Sequence, residues 1–397
     1  MRAGMLCDAL AERGHEVRWF GSTFDHYQKR LRPERPGAYT TKSGVILELV
    51  QGTGYPTNSS PLRLGHNALV AYRMWKKAKE LMDDSASKPD VIVADLPMPA
   101  TAFAASSLAQ SHQIPFVVCI RDLWPDYFAN FLAPPKAAIS APIIYLMDMI
   151  VRKACSRADS LVGISSGYLG WGLAKAKRNL RPSDGVFPLG YAPEQGVSKR
   201  AAAVSLKEKG ISLTKPIAVF VGSWGNTYDL GTLLDVAELS VDRAPLQIVI
   251  AGGGDQENMV RARASELSNV ILPGWLSKTE IATLLAHATI GLSPYPPNAP
   301  QGLPNKLFEY MSAGLYQIST LGPEAASVLS EGNAGLTVQA GDPVAFAEAL
   351  HQTCGKPSLA ESRQAIKDYF NQNFHADTIY PAYVDFLEEL VKENSLR

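Results

Sequence analysis

Residues 216–225 read Pro216-Ile217-Ala218-Val219-Phe220-Val221-Gly222-Ser223-Trp224-Gly225. The apolar run lacks the alternation of a half-exposed strand, so it describes a strand buried on both faces. Glycines end it, and a helical pattern over 229–239 follows. The next strand, Leu246–Ala251, ends in Gly252-Gly253-Gly254. Strand, glycine turn, helix and strand make the repeating unit of a parallel sheet covered by helices. Shorter strand signals at Val270–Leu272, Ile290–Leu292 and Gln317–Ser319 alternate with helical patterns at 277–287, 304–313 and 342–354. Residues 359–395 read as a helical tail.

The first half repeats the pattern. Strands are expected at 16–20, 45–50, 90–94, 115–120 and 160–164, with helices at 66–82, 99–110 and 139–157. The opening is different: Met1–Arg13 places Met5, Leu6, Ala9 and Leu10 at helical spacing, and Gly14 stops the helix. A βαβ unit begins with a strand and a Gly-rich turn. Neither is read here, which predicts that the first strand is missing. The Gly/Pro-punctuated, basic stretch 175–200 reads as an inter-domain region. The expected organisation is one domain over 1–190, a second over 191–375 and a C-terminal helix over 376–397 packing back on the first.

Composition narrows the function. The 397 residues suit two domains. Lys+Arg and Asp+Glu both number 38, so no net field attracts nucleic acid, and an anionic ligand must be held by local groups. Cys7, Cys119, Cys155 and Cys354 lack metal spacing and read as reduced thiols of a cytosolic protein. There is no Asp-x-Asp motif in a strand-and-loop setting and no His cluster, so no metal is expected. No apolar run reaches the eighteen or so residues that span a bilayer.

Ligands of open α/β sheets bind outside the carboxyl ends of the strands. Gly222, Ser223 and Trp224 lie at one such end and Gly253 and Gly254 at another; backbone amides there suit a diphosphate. Glycines at strand ends are also common turn devices. A third end is more specific. In Gln301-Gly302-Leu303-Pro304-Asn305-Lys306-Leu307-Phe308-Glu309, Pro304 or Asn305 starts a helix. Lys306 and Glu309 then share one face. The ammonium beside free helix amides can clamp a diphosphate, and the carboxylate can accept two ribose hydroxyls. A plain surface pair is the other reading.

That segment resembles the Glu-x7-Glu donor motif of the family-four retaining glycosyltransferases. Gln301 stands at the first acid and Glu309 at the second. The resemblance extends through Ala251–Gly254, Val270–Trp275, Leu284–Ala288, Ala313-Gly314 and Leu10–Val17. Arg121-Asp122-Leu123-Trp124-Pro125 resembles a branch that builds O-antigens, capsules and other surface polysaccharides. The resemblance implies a GT-B fold, two Rossmann-like domains facing across a cleft. It also implies retention, a nucleotide-sugar co-substrate with UDP and an N-acetylated amino sugar as best guess, and no obligatory cofactor. Where relatives carry an Arg and a Lys for the diphosphate, this chain has Gly222-Ser223-Trp224-Gly225-Asn226-Thr227-Tyr228-Asp229, so Lys306 and backbone amides must serve. Gln301 can hydrogen-bond a sugar hydroxyl but supplies no charge.

The expected donor site therefore comprises Gly222, Ser223, Trp224, Gly253, Gly254, Gln301–Asn305 and Leu307, with Lys306 and Glu309 in catalytic roles. Asp122 follows the strand 115–120 and can meet the sugar or the acceptor hydroxyl; the other reading is a turn cap paired with Arg121. Arg121, Tyr55, Asn58, Ser59 and His26 are further acceptor-side candidates. The acceptor is expected to be lipid-linked. The apolar run Ala141–Met147 with Arg152, Lys153 and Arg157, and the basic group Lys175, Lys177, Arg178 and Arg181, are candidates for a peripheral site on the inner leaflet of a cytoplasmic protein. Of the two, 143–157 reads better as a core helix and 175–181 as the membrane surface. Two other functions stay open: a nucleotide-sugar epimerase, and a non-catalytic sugar-nucleotide-binding assembly partner.

Overall fold

The computed structural model describes residues 2–395 except 27, 58–59, 84–87, 127–133, 194–198, 244–245, 298, 300–301 and 357; the side chains of 134–138, 199 and 395 also lie outside the description. The chain divides into two compact units, residues 1–190 with 379–397, and residues 191–378.

The second unit is built on a wholly parallel six-stranded sheet. Its spatial order is Val270–Ile271, Gln247–Gly253, Ile217–Ser223, Ile290–Ser293, Tyr316–Ser319, Gly335–Thr337. Numbered along the chain this is 3-2-1-4-5-6, the doubly wound dinucleotide-fold order. The continuous apolar run of the first strand now has its reason. Ala218 and Phe220 enter one core with Leu233, Val260 and Phe346, while Ile217, Val219 and Val221 enter the opposite core with Leu206, Leu284 and Tyr310. Alternate side chains go to opposite faces, and helices cover both.

In the first unit, a parallel sheet orders Ile92–Leu96, Phe116–Ile120, Ser160–Gly163 and Gly185–Val186. A second sheet pairs Arg18–Ser22 in parallel with Ile46–Val50, whose other edge takes Gly37–Thr40 antiparallel. The first described element is the helix Arg2–Glu12. Leu96, Phe116, Val118, Ile120 and Leu161 pack under the helices Pro99–His112, Pro134–Arg157 and Ser166–Ala176. Beyond Thr378 the last helix, Ala376–Ser395, runs within this unit. Tyr383 stacks on Phe187 at 4.4 Å, and Asp385 pairs with Arg13 at 2.9 Å.

The stretch expected as inter-domain, 175–200, runs from the end of the helix Ser166–Ala176, capped by the Ser165 side chain, through the strand Gly185–Val186 to the start of the helix Lys199–Glu208, and the unit boundary falls within it. Helices Glu257–Ala264 and Pro323–Glu331 and the strand Gly335–Thr337 are further elements the sequence reading passed over.

Candidate active site

In the second unit the strand order reverses between Ile217–Ser223 and Ile290–Ser293, and a doubly wound sheet opens a crevice at such a switch point. The helix Asn305–Ser312 starts here; Pro304 is its extended N-cap, not its first residue. Lys306 lies in the first turn, but its side chain is buried and turned toward the sheet. Its ammonium donates to the Val221 carbonyl at the end of the first strand. It lies 4.3 Å from the Phe220 ring centroid, 5.1 Å from Tyr228 and 5.5 Å from Tyr310. Three aromatic faces thus offset the lost hydration of the cation. Burial still pulls its pKa down to about 8, against the charge of Glu309 one turn on. Glu309 is moved the other way, raised by burial and held back by Lys306.

Tyr310 fixes the frame. Its hydroxyl accepts from the Val221 amide at 3.1 Å and donates to the Val219 carbonyl at 3.2 Å. Its ring fills the place a side chain at Gly291 would occupy, 2.4 Å from where a Cβ would stand. Phe220, Tyr228 and Tyr310 were not singled out by the sequence reading.

The glycines have a packing reason of their own. A Cβ on Gly222 would lie 2.9 Å from the Lys306 Nζ, and one on Gly252 only 1.8 Å from the Gly222 carbonyl oxygen. These strand ends touch backbone to backbone. The expectation of free amides along Gly222–Trp224 is corrected at Trp224. Its amide donates to the Gly253 carbonyl at 2.9 Å, and its indole is fully buried. Leu303 and Leu307 likewise face the core. Ser223, Gly254 and Asn305 are exposed and Gly302 is half-buried; Gln301 lies outside the described residues. Trp275 stands 70% exposed after the third strand, its indole Nε1 2.8 Å from where a Gly253 Cβ would be. Only its exposure marks it as more than core.

The first unit gathers a second cluster at its strand ends. The Asp122 carboxylate accepts from the Leu123 amide at 3.0 Å, and the Trp124 indole also donates to it. Burial raises its pKa against those bonds and the Arg63 charge. Arg121 does not pair with Asp122; it bonds Asp95 on the neighbouring strand at 2.9 Å. Tyr55 is buried, and its hydroxyl meets His26 Nδ1 at 2.5 Å. Asn58 and Ser59 lie outside the described residues. His66 and Arg63, both overlooked in sequence, complete the group. His66 Nδ1 accepts from the Gly54 amide at 3.0 Å, and Arg63 stacks 4.3 Å from the Trp124 centroid.

Two of the four cations in the basic group 175–181 are paired within the fold. Lys175 is buried between Asp126, at 2.8 Å, and Asp148. Arg178 is held by both oxygens of Asp184 at 2.6 Å. Only Lys177 and Arg181 of that group are exposed. The helix read as core does place Val151, Ala154 and Cys155 in the core, and along Ile139–Met149 it also exposes an apolar face: Ile139 (80%), Ile143, Tyr145, Leu146 and Met149. Exposed Lys153 continues that face at i+7 from Leu146. No helix among the described residues is long and apolar enough to cross a membrane.

Two family models match separate parts of the chain. "Glycosyl transferase 4-like domain" matches residues 1–170, and "Glycosyl transferases group 1" matches residues 215–355. Both parts of the chain thus match glycosyltransferase domain models, and its fold is the GT-B fold of such enzymes. No curated protein matches it in sequence. Among solved structures it is similar to sucrose-phosphate synthase from Thermosynechococcus elongatus, with TM-score 0.73 and 16% identity over 98% of this chain and 93% of that one. It is also similar to WaaG, a glycosyltransferase involved in lipopolysaccharide biosynthesis, with TM-score 0.67 and 16% identity over 97% and 94%. HepE from Anabaena, in complex with UDP and glucose, gives TM-score 0.66 and 14% identity over 97% and 95%. At such identities the likeness is one of fold.

Proposed function

We propose that this transferase takes a sugar from a nucleotide diphosphate donor, a UDP-sugar with an N-acetylated amino sugar, and passes it with retention to a lipid-linked acceptor. The observation that carries the donor half is the caged Lys306 ammonium at the switch point of the second sheet, with Glu309 one turn on. Breaking the anomeric bond puts negative charge on the departing diphosphate. A cation already fixed by Val221 and three rings needs little reorganisation to stabilise that charge. Glu309 would accept the ribose hydroxyls, and its raised pKa is relieved when it does so beside a charged lysine. The exposed Trp275 indole would give the base a stacking face.

HepE is a neighbour of this fold crystallised with UDP and with UDP-glucose, which supports the same co-substrate class here. The acceptor half rests on the Asp122 cluster and on the exposed face of Pro134–Arg157, an apolar surface ending in a lysine of the kind that settles at a lipid interface.

Calorimetric titration with UDP tests the donor site. The full chain is expected to bind UDP, and Lys306→Ala to lose at least tenfold in affinity while keeping its circular dichroism. Equal UDP affinity in Lys306→Ala removes the assignment. In turnover, Lys306→Ala and Glu309→Ala should each cost about 10²–10³-fold, the size of one lost transition-state contact.

A further inference from the structure

We infer that the carboxyl ends of the first unit's strands carry a binding site for a diphosphate group of the acceptor, with Lys29 and Arg63 as its cations. The inference rests on the transferase reading and names the chemistry of its acceptor.

Three chain segments converge here. The end of Arg18–Ser22 leads to Phe24, His26 and Lys29; the end of Ile46–Val50 leads to Tyr55; the end of Phe116–Ile120 leads to Asp122 and Trp124. Lys29 Nζ donates to the His26 carbonyl at 2.5 Å and lies 4.9 Å from the Tyr55 ring centroid. The Arg63 guanidinium lies 5.7 Å from the same ring, 4.3 Å from that of Trp124, and bonds the Tyr55 hydroxyl. Two cations are thus fixed on one phenol. Each is crowded by burial first and, for Lys29, by the Arg63 charge next, which lowers its pKa.

The histidines do not add to the charge. His26 Nδ1 meets the Tyr55 hydroxyl, which already accepts from Arg63 and so has its own proton to give. His66 Nδ1 accepts backbone amides. Both rings are therefore neutral, with their protons on Nε2. The carboxylates nearby are shared. Asp25 accepts from the Gln28 amide at 3.0 Å, faces Arg32 at 3.8 Å and partly offsets the Lys29 charge; Asp122 takes Leu123 and Trp124 and partly offsets that of Arg63. Held cations, ring N–H donors and an aromatic floor suit a multiply charged tetrahedral oxyanion. A planar carboxylate would use Arg63 alone.

The test keeps the donor site filled. With UDP at saturation, inorganic pyrophosphate is titrated into the full chain by calorimetry. One further site is expected, at least tenfold weaker in Lys29→Met and in Arg63→Gln, and retained in Lys29→Arg. Pyrophosphate affinity unchanged in Lys29→Met and Arg63→Gln, or no second site in the wild type, overturns the inference. UDP titration of Lys29→Met is expected to match wild type. Failure of UDP to bind the wild type would count against the donor site instead, so the two failures are separable. Farnesyl diphosphate serves as a second probe. Tighter binding than pyrophosphate supports the site with a lipid-borne group, and equal binding supports it with a water-soluble one.

Discussion

At the scale of the residue, Lys306 is the informative group because its charge is costly where it sits. Burial draws its pKa to about 8 from 10.5, so between those values the unfolded chain holds more protons than the folded one. The sign of the linkage is that stability rises with pH across this interval. Ligand affinity moves the opposite way. A bound diphosphate favours the ammonium, so UDP binding takes up a proton once pH exceeds about 8. Affinity should be nearly flat below that point and fall above it, by up to about tenfold per pH unit. Calorimetry in buffers of different ionisation enthalpy checks the proton uptake, and Lys306→Gln should show none. Sequence spacing was enough to place Lys306 and Glu309 on one helix face, since i,i+3 geometry is local. It could not supply Phe220, Tyr228 and Tyr310 together, because the first two lie some eighty residues away in sequence and only the sheet brings them to the ammonium.

At the scale of the element, the helix Lys278–His287 shows how one side chain serves two structures. Ser277 and Glu280 form its capping box. The same Glu280 carboxylate accepts from Lys209 at 2.5 Å and Ser205 at 2.7 Å, which tie it to the end of Lys199–Glu208. Burial pushes the carboxyl up, but Lys209, Ser277 and Ser205 together bring it down to about 2 from 4.5. Its stabilising contribution is therefore complete above 4.5 and lost as pH falls toward about 2. Glu280→Gln should flatten the acid limb of urea-unfolding stability across that window and lower stability at neutral pH. An unchanged acid limb would show that the carboxylate is not what ties these helices. The Ser277-x-x-Glu280 box is a local pattern, whereas Lys209 and Ser205 reach the same carboxylate only through the fold. The helix Ser166–Ala176 escaped for a related reason: Gly170 and Gly172 depress its propensity. The cost has a purpose only packing reveals, since a Cβ on Gly172 would lie 2.0 Å from Ile120 Cδ1.

At the scale of the whole molecule, the apolar face of Pro134–Arg157 bears on where the transferase works. The exposed Ile143 and Leu146 with Lys153 should bind anionic vesicles. In sedimentation with phosphatidylglycerol-containing vesicles, Ile143→Asp with Leu146→Asp should lose most binding while leaving UDP affinity unchanged. Undiminished sedimentation would assign the membrane contact elsewhere. The sequence read this helix as core, which holds for Val151, Ala154 and Cys155, but composition does not say which of its other sides a neighbour covers. Nor does it say which charges of the basic stretch after it the fold uses: Lys175 and Arg178 are spent on Asp126, Asp148 and Asp184. What the sequence determined alone were the local and periodic features, namely the buried strands with their glycine ends, the helices between them, and the lysine and glutamate one turn apart. Tertiary structure decided the rest: the 3-2-1-4-5-6 order that makes a switch point, the cage around Lys306, and which charges stay unspent at the surface. The division follows from range. Backbone periodicity is set within a few residues, whereas the field and burial of a side chain are set by whatever the fold packs against it.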